Sequence, residues 1–406
     1  MPDTKPRLFS LALLVATLGY FVDVYDLVLF IALKSPSLRD LGVPPEGQLA
    51  AGASLLDTQM LGTLVGGLVW GVLGDKVGRT KALFGSIIMY STANILNAFV
   101  QSLPSYHLCR ALAGFGLAGE LGAGVTLVAE ALPVALRGYG TTIIASVGVL
   151  GAVVAGLTGE FLPWRDSYII GGVLGIALLA VRVSVSESPL FKALHSAGVA
   201  RGSLRMLLCT PERLYRYSLC IFLGVPTWYI VGILMANANP LSQALGVDGA
   251  PKQALCLVWC YLGLVVGDAL GGLASQLLQS RKRPMWVFMA LGTVCPLWFL
   301  SSRGMTVNAV YAHYLVLGFS AGYWILMLTS AAEQFGTNLR ATVTVTIPNF
   351  IRASVVPMNA ALIWLGSDLG IVDAARVIGL AASALAIASL ALLKETFHRE
   401  LDFVER

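Results

Sequence analysis

The chain has 406 residues, of which 57% are hydrophobic and only 12% charged, with a formal net charge of +5 and a mean hydropathy of +0.78. Soluble domains carry about 25% charged residues, so this composition excludes an ordinary soluble enzyme and points to a protein of the lipid bilayer. The basic residues are spread over many short links and not gathered in one patch, which argues against a nucleic-acid partner.

In chain order, apolar windows long enough to cross a hydrocarbon core as helices recur at 9–33, 51–73, 82–102, 105–132, 138–161, 167–183, 216–236, 253–278, 285–302, 306–333, 342–366 and 373–393, twelve in all. The first lacks a short apolar core with a small-residue cleavage site, so it is expected to stay as a span. It reads YFVDVYDLVLF at 20–30 and holds two acids, Asp23 and Asp26, in an otherwise apolar run. The second span leads into the loop GVLGDKVGRTK (71–81). The fourth begins near Arg110, carries Glu120 deep inside, and leaves Glu130 and Arg137 at its far end. The eleventh contains Arg352 with Asn349 three residues before it. Six cysteines show no metal-ligand spacing and lie mostly in spans, where free Cys packs as a small hydrophobe; no metal or cofactor is expected. No nucleophile and base pattern or phosphate loop falls in an aqueous segment, so an enzyme is not expected.

Placing the N-terminus in the cytoplasm collects most of the 27 Lys and Arg residues inside, leaving only Lys34, Arg39, Arg165, Lys252 and Arg303 in outer loops. The positive-inside rule therefore puts both termini in the cytoplasm. At an offset of 203 residues, AEALPVALRG (129–138) lies over AEQFGTNLRA (332–341), and LGTLVGGLVWG (61–71) resembles LGLVVGDALGG (262–272). Such a parallel repeat is common in transporters. The fold class read from it is an all-α membrane protein of twelve transmembrane helices in two six-helix bundles, residues 1–183 and 216–406, joined by a polar, basic cytoplasmic linker over 184–215.

GVLGDKVGRTK closely resembles the signature loop between helices 2 and 3 of the major facilitator superfamily, Gly-x-Leu-Ala/Gly-Asp-Arg/Lys-x-Gly-Arg-Arg/Lys, and residues 110–138 are similar to the matching region of its sugar-porter and organic-acid branches. The fifth span lacks the Gly-Pro-x-x-Gly-Gly bend of drug antiporters. The seventh lacks the paired glutamines of sugar porters, and the ESP at 187–189 lacks their arginine. YFVDVYDLVLF is similar to the Asp-Gly-Tyr-Asp of aromatic-acid and other metabolite:proton symporters, with Val24 in place of the glycine. The resemblance implies rocker-switch alternating access by a monomer, with spans 1, 4, 7 and 10 lining a central cavity. It also implies gating at the inner end by Asp75 with Arg79, and by Glu130, Arg137, Glu333 and Arg340, which recur in both halves.

Ionisable groups inside a membrane usually face such a cavity and mark ion or substrate paths. Asp23 and Asp26 share a helix face and are expected to titrate as a coupled pair, with Glu120 a further proton carrier. Protonation of one acid would release Arg110, and an anion would replace it. The guanidinium fork of Arg352 suits a carboxylate, with Asn349 beside it. Trp228, Tyr229, Tyr323 and Trp324 are candidates for an apolar wall. His313 occupies the position of Arg110 at the 203 offset and is a candidate pH-sensitive gate. Asp57, Gln59 and Asp268 are expected at the interface between the halves. The function read from these residues is proton-coupled symport of a small organic anion across a bacterial inner membrane. The competing readings are an uncoupled facilitator or exporter of a neutral or zwitterionic metabolite, and a non-transporting membrane sensor built on the transporter fold.

Overall fold

A computed structural model describes residues 11–77, 79–119, 134–182 and 204–397. The elements are α1 (Leu11–Asp40), α2 (Pro45–Val77), α3 (Arg79–Asn97), α4 (Leu103–Leu117), α5 (Val134–Phe161) and α6 (Trp164–Arg182). After these come α7 (Leu204–Leu208), α8 (Pro211–Tyr229), a π-helical turn (Ile230–Met235), α9 (Ala238–Ala244), α10 (Gln253–Leu277) and α11 (Lys282–Ser301). The chain closes with α12 (Val307–Ser320), α13 (Trp324–Gln334), α14 (Thr337–Ala353), α15 (Val355–Leu369) and α16 (Ile371–Leu392).

Among the described residues, nine helical segments are long and apolar enough to cross a bilayer. Helices α3, α4 and α5 complete a set of twelve. The protein is an all-α membrane protein. In the first half α1 packs on α5 and α6, and α4 on α2 and α3; in the second α10 packs on α12, and α16 on α8, α11 and α15. The halves meet where α5 runs along α10 and α2 along α14. Small residues make these approaches possible, as is usual where lipid removes the hydrophobic drive between helices. A Cβ on Gly151 would stand 1.9 Å from the Phe21 carbonyl oxygen, and one on Gly318 would stand 1.7 Å from that of Cys260.

Two expected spans are each broken in two. The tenth divides at 321–323, where a Cβ on Gly322 would meet the backbone of Gly267 at 2.3 Å, so the break is pressed directly onto α10. The eleventh divides at Ser354. Pro357 supplies no N–H to the carbonyl of Ala353, and proline is tolerated in the first turn of the helix that follows. The first span also runs longer than its apolar window. Helix α1 continues to Asp40 through Pro36, which draws Lys34 out of the expected outer loop and buries it.

The two ends of the bundle differ. At the α1–α2 end Arg165 pairs with Asp40 at 2.9 Å and donates to the carbonyls of Ala98 and Val100. There Lys252 also pairs with Glu160 across the halves. At the α2–α3 end Arg281 holds Glu333 through two bonds of 2.8 and 3.2 Å.

Candidate functional site

Helix α1 carries the centre of the site because its 3.6-residue period sends Tyr20, Asp23, Val24 and Leu27 toward the second half. Asp23 is fully buried and accepts from Arg352 Nη2 at 3.5 Å, an ion pair that joins the two halves in mid-bundle. Arg352 Nη1 donates to Asn349 Oδ1 at 3.2 Å, and Asn349 Nδ2 donates to the carbonyl of Ala118 at 3.2 Å. Asn349 thus ties α14 to the end of α4. A Cβ on Gly67 would lie 2.5 Å from Asn349 Nδ2, so that glycine lets the amide reach across.

Beside this pair lies a cavity of about 30 Å³ lined by Tyr20, Trp228, Tyr261, Trp324 and Arg352 with apolar neighbours. Trp324 Nε1 donates to Tyr20 Oη at 3.2 Å across it. That volume suits about one water molecule. An arginine fork against an aromatic wall is the combination that holds a planar carboxylate with an apolar body.

A second polar cluster lies one turn further along α1. Arg110 donates to Asn94 Oδ1 at 2.8 Å and Gln59 Oε1 at 3.3 Å, and its guanidinium lies 4.9 Å from the Tyr168 ring centre. Asp26 is an electrostatic neighbour of both Arg110 and Asp23 and lies beside the Asn94 side chain. Gly171 leaves it room: a Cβ there would come within 2.2 Å of Asp26 Oδ1. The two acids therefore divide between two arginines. Asp23 takes Arg352, and Asp26 stays by Arg110.

Of the expected aromatic wall, Trp228 and Trp324 line the cavity, and Tyr229 and Tyr323 do not. Adjacent helical residues point about 100° apart, and Tyr229 donates to the Ala375 carbonyl at 2.7 Å on the α16 side. Tyr323 donates to the Leu223 carbonyl at 3.0 Å and packs on Phe288. His313 is also no cavity residue: it stacks on Trp298 at 4.1 Å and bonds the Ala309 carbonyl at 2.7 Å. The reason lies in its surroundings. At the 203 offset the partners of Arg110 become Leu262, Leu297 and Tyr229, so no acid or amide draws a polar side chain inward.

At the α2–α3 end, Glu333 takes its guanidinium from Arg281 in place of the expected Arg340, which donates to the carbonyls of Ala332 and Phe335 at 3.1 and 3.3 Å. Arg281 stands at the start of α11 and reaches Glu333 with Nε and Nη2 together. Glu120 and Glu130 lie outside the described residues, as do the side chains of Asp75, Arg79 and Arg137. Asp57 does bridge the halves, accepting from Asn359 Nδ2 at 2.6 Å. Gln59 and Asp268 do not: Gln59 serves Arg110 and the Leu27 carbonyl, and Asp268 accepts from the Ile325 N–H within the second half. Tyr20 was within reach of sequence reasoning, three residues before Asp23 on the same face. Asn94 and Tyr261 carry no signal of their own in the sequence.

A sequence profile of the Major Facilitator Superfamily matches residues 10–356. The chain belongs to that superfamily. This facilitator is 24% identical over 404 residues to the gentisate transporter of Corynebacterium glutamicum, covering 95% of this chain and 88% of that one. It is 25% identical over 299 residues to the 3-(3-hydroxy-phenyl)propionate transporter of Escherichia coli, 70% of each chain. Its fold matches that of the proton:xylose symporter XylE bound to 6-bromo-6-deoxy-D-glucose, with a TM-score of 0.72 over 96% of this chain and 97% of that one, at 16% identity. Family and relatives alike are transporters. The facilitator is an integral membrane transporter of small molecules and not an enzyme.

Proposed function

We propose that the protein is a proton-coupled symporter that imports a small organic anion, an aromatic carboxylate in the first instance. One observation carries this reading: a buried ion pair, Asp23 with Arg352, joins the halves beside a cavity walled by Tyr20, Trp228, Tyr261 and Trp324. Gentisate and 3-(3-hydroxyphenyl)propionate, named for the two relatives, are both aromatic carboxylates, which agrees with a cationic fork against aromatic faces.

The chemistry follows from charge. With the pair closed, Arg352 is neutralised by Asp23 and has nothing to offer an anion. A proton on Asp23 removes that competitor, and the guanidinium can then hold the carboxylate of the substrate. Loss of proton and substrate on the other side lets the pair re-form and carry the empty protein back. Pair, proton and monoanion together sum to zero charge, so the loaded and empty forms cross equally uncharged. Residues 1–183 and 216–406 act as the rocking units and 184–215 as their cytoplasmic tether. The α1–α2 end faces outward and both termini face the cytoplasm of a bacterial inner membrane, with a monomer as the working unit.

The test is uptake into liposomes under an inward proton gradient from a panel of labelled aromatic carboxylates, aliphatic carboxylates, sugars and amino acids. The reading predicts uphill accumulation of a carboxylate that an uncoupler collapses and that membrane potential alone, at equal pH on both sides, does not drive. Downhill flux of a neutral solute, indifferent to pH, would overturn it.

A further inference from the structure

At the α1–α2 end a recess of about 520 Å³ opens between the halves. Its floor is Lys34, 7% exposed. Its walls include Ser35 and Gln48 from the first half and Asn239 and Gln243 from the second. Lys34 is the only ionisable side chain among the described residues that line it; Glu46 and Asp248 are exposed nearby and do not.

Lys34 has no carboxylate partner among the described residues, although a buried ammonium ordinarily has one. Its Nζ donates instead to the carbonyl of Ala236 and to Asn237 Oδ1, both in the second half. The sequence explains the first bond. The helical donor for the Ala236 carbonyl would be the N–H of residue 240, which is Pro240 and has none. Lys34 fills the vacancy. Two of its three N–H donors are thereby used, and the third is left for whatever occupies the recess.

The place of Lys34 on α1 ties it to the central site. It follows Asp23 by eleven residues, three helical turns, so the two share a stripe about 16 Å apart by helical rise. On the opposite wall the chain leads from Val231 at the cavity through the π-helical turn to Ala236, whose carbonyl Lys34 holds. Turns of that kind are frequent at functional sites. A single ammonium, alongside the Lys252–Glu160 pair, therefore both helps to hold this end of the bundle together and lines an amide-walled recess.

We infer that the recess is an outer binding site for a small carboxylate anion, anchored by Lys34, and that occupancy releases the Lys34 bond to Ala236 and so opens this end. The inference rests on the organic-anion reading above. The carboxylate takes the ammonium, the Ala236 carbonyl loses its donor, and the anion is held in line with Arg352 before the central cavity opens.

The probe is 3-hydroxybenzoate, with the full-length protein in nanodiscs. Arg352→Gln removes the central anchor; weak 3-hydroxybenzoate binding should persist there, fall about tenfold on adding Lys34→Gln, and return with Lys34→Arg. Spin labels at Glu46→Cys and Asp248→Cys, in a Cys209→Ser background, should move apart on adding the probe. They should already stand apart in Lys34→Gln without it. Should Lys34→Gln fail to fold, Gln243→Leu in the Arg352→Gln background serves instead, with a severalfold loss of binding expected. Wild-type protein that accumulates the anion while Arg352→Gln binds none, or binds it equally with and without Lys34, would overturn the outer site alone. Wild-type protein that neither binds nor accumulates any carboxylate would remove the parent reading as well.

Discussion

For single residues, the decisive matter is where two acids and two arginines find each other. The charges themselves are plain in the sequence, because Asp23, Asp26, Arg110 and Arg352 stand in apolar runs where a charge is costly. Their pairing is not, since it depends on how a chain separation of 329 residues is folded to bring α14 against α1. Sequence reasoning joined Arg110 to both acids; the structure joins Asp23 to Arg352. Breaking a buried pair by removing one member costs about 3–5 kcal/mol. Asp23→Asn and Arg352→Gln should therefore each lower the melting temperature in detergent, and the double variant should lose less than the sum of the two. Additive losses would mean that the 3.5 Å contact contributes little. Arg352→Lys keeps the charge and loses the planar fork, so uptake should survive with KM raised about tenfold; unchanged KM would exclude a forked carboxylate contact.

At the scale of elements, the twelve spans were legible because bilayer thickness fixes their length and hydropathy marks them. Their breaks were less so. The division of the tenth span at 321–323 depends on Gly322 meeting α10, and the π-helical turn at Ile230–Met235 depends on packing that no local pattern records. The extension of α1 past Lys34 was missed because a charge and Pro36 read as a loop, whereas the Ala236 carbonyl supplies the partner that keeps the lysine inside. Close helix contacts yield a direct test. Gly318→Ala should destabilise by about 1–3 kcal/mol, since its Cβ has no room against Cys260 and overpacking costs that much. Gly366→Ala, with only the Ile371 Cα at 4.0 Å, should be neutral or slightly stabilising. Thermal melts of the two variants side by side decide the point.

At the scale of the whole molecule, contacts between the halves are placed at several depths. Lys252 with Glu160 and Lys34 with Ala236 hold the α1–α2 end, Asp57 with Asn359 bridges α2 to α15, Asp23 with Arg352 holds the middle, and Asn349 reaches the Ala118 carbonyl toward the other end. In the proposed cycle, these contacts between the halves break in turn.

Outside the spans, Glu395 fastens the chain beyond α16 to the start of α11. Burial raises its pKa, but bonds from Ser280 and from the backbone N–H groups of Phe397, Arg281 and Lys282 outweigh that and leave it lowered to about 2. A carboxyl lowered on folding stabilises above its ordinary value, near 4.5, and loses that contribution as pH falls toward 2. Glu395→Gln should therefore melt earlier than wild type at pH 6, with the gap closing progressively below pH 4.5. A gap independent of pH would assign the effect to packing.

In the proposed cycle, a proton on Asp23 frees Arg352 to carry a carboxylate. The most direct test of this step records proton and labelled-anion uptake together in one preparation of liposomes, for wild type and Asp23→Asn. The asparagine stands for an acid that is always neutral. The account predicts that wild type takes up one proton with each monoanion. The variant should still exchange labelled for unlabelled anion across the membrane, yet take up no protons with it and accumulate nothing uphill. An Asp23→Asn protein that still accumulates the anion against its gradient with proton uptake intact would contradict the account and place the coupling elsewhere.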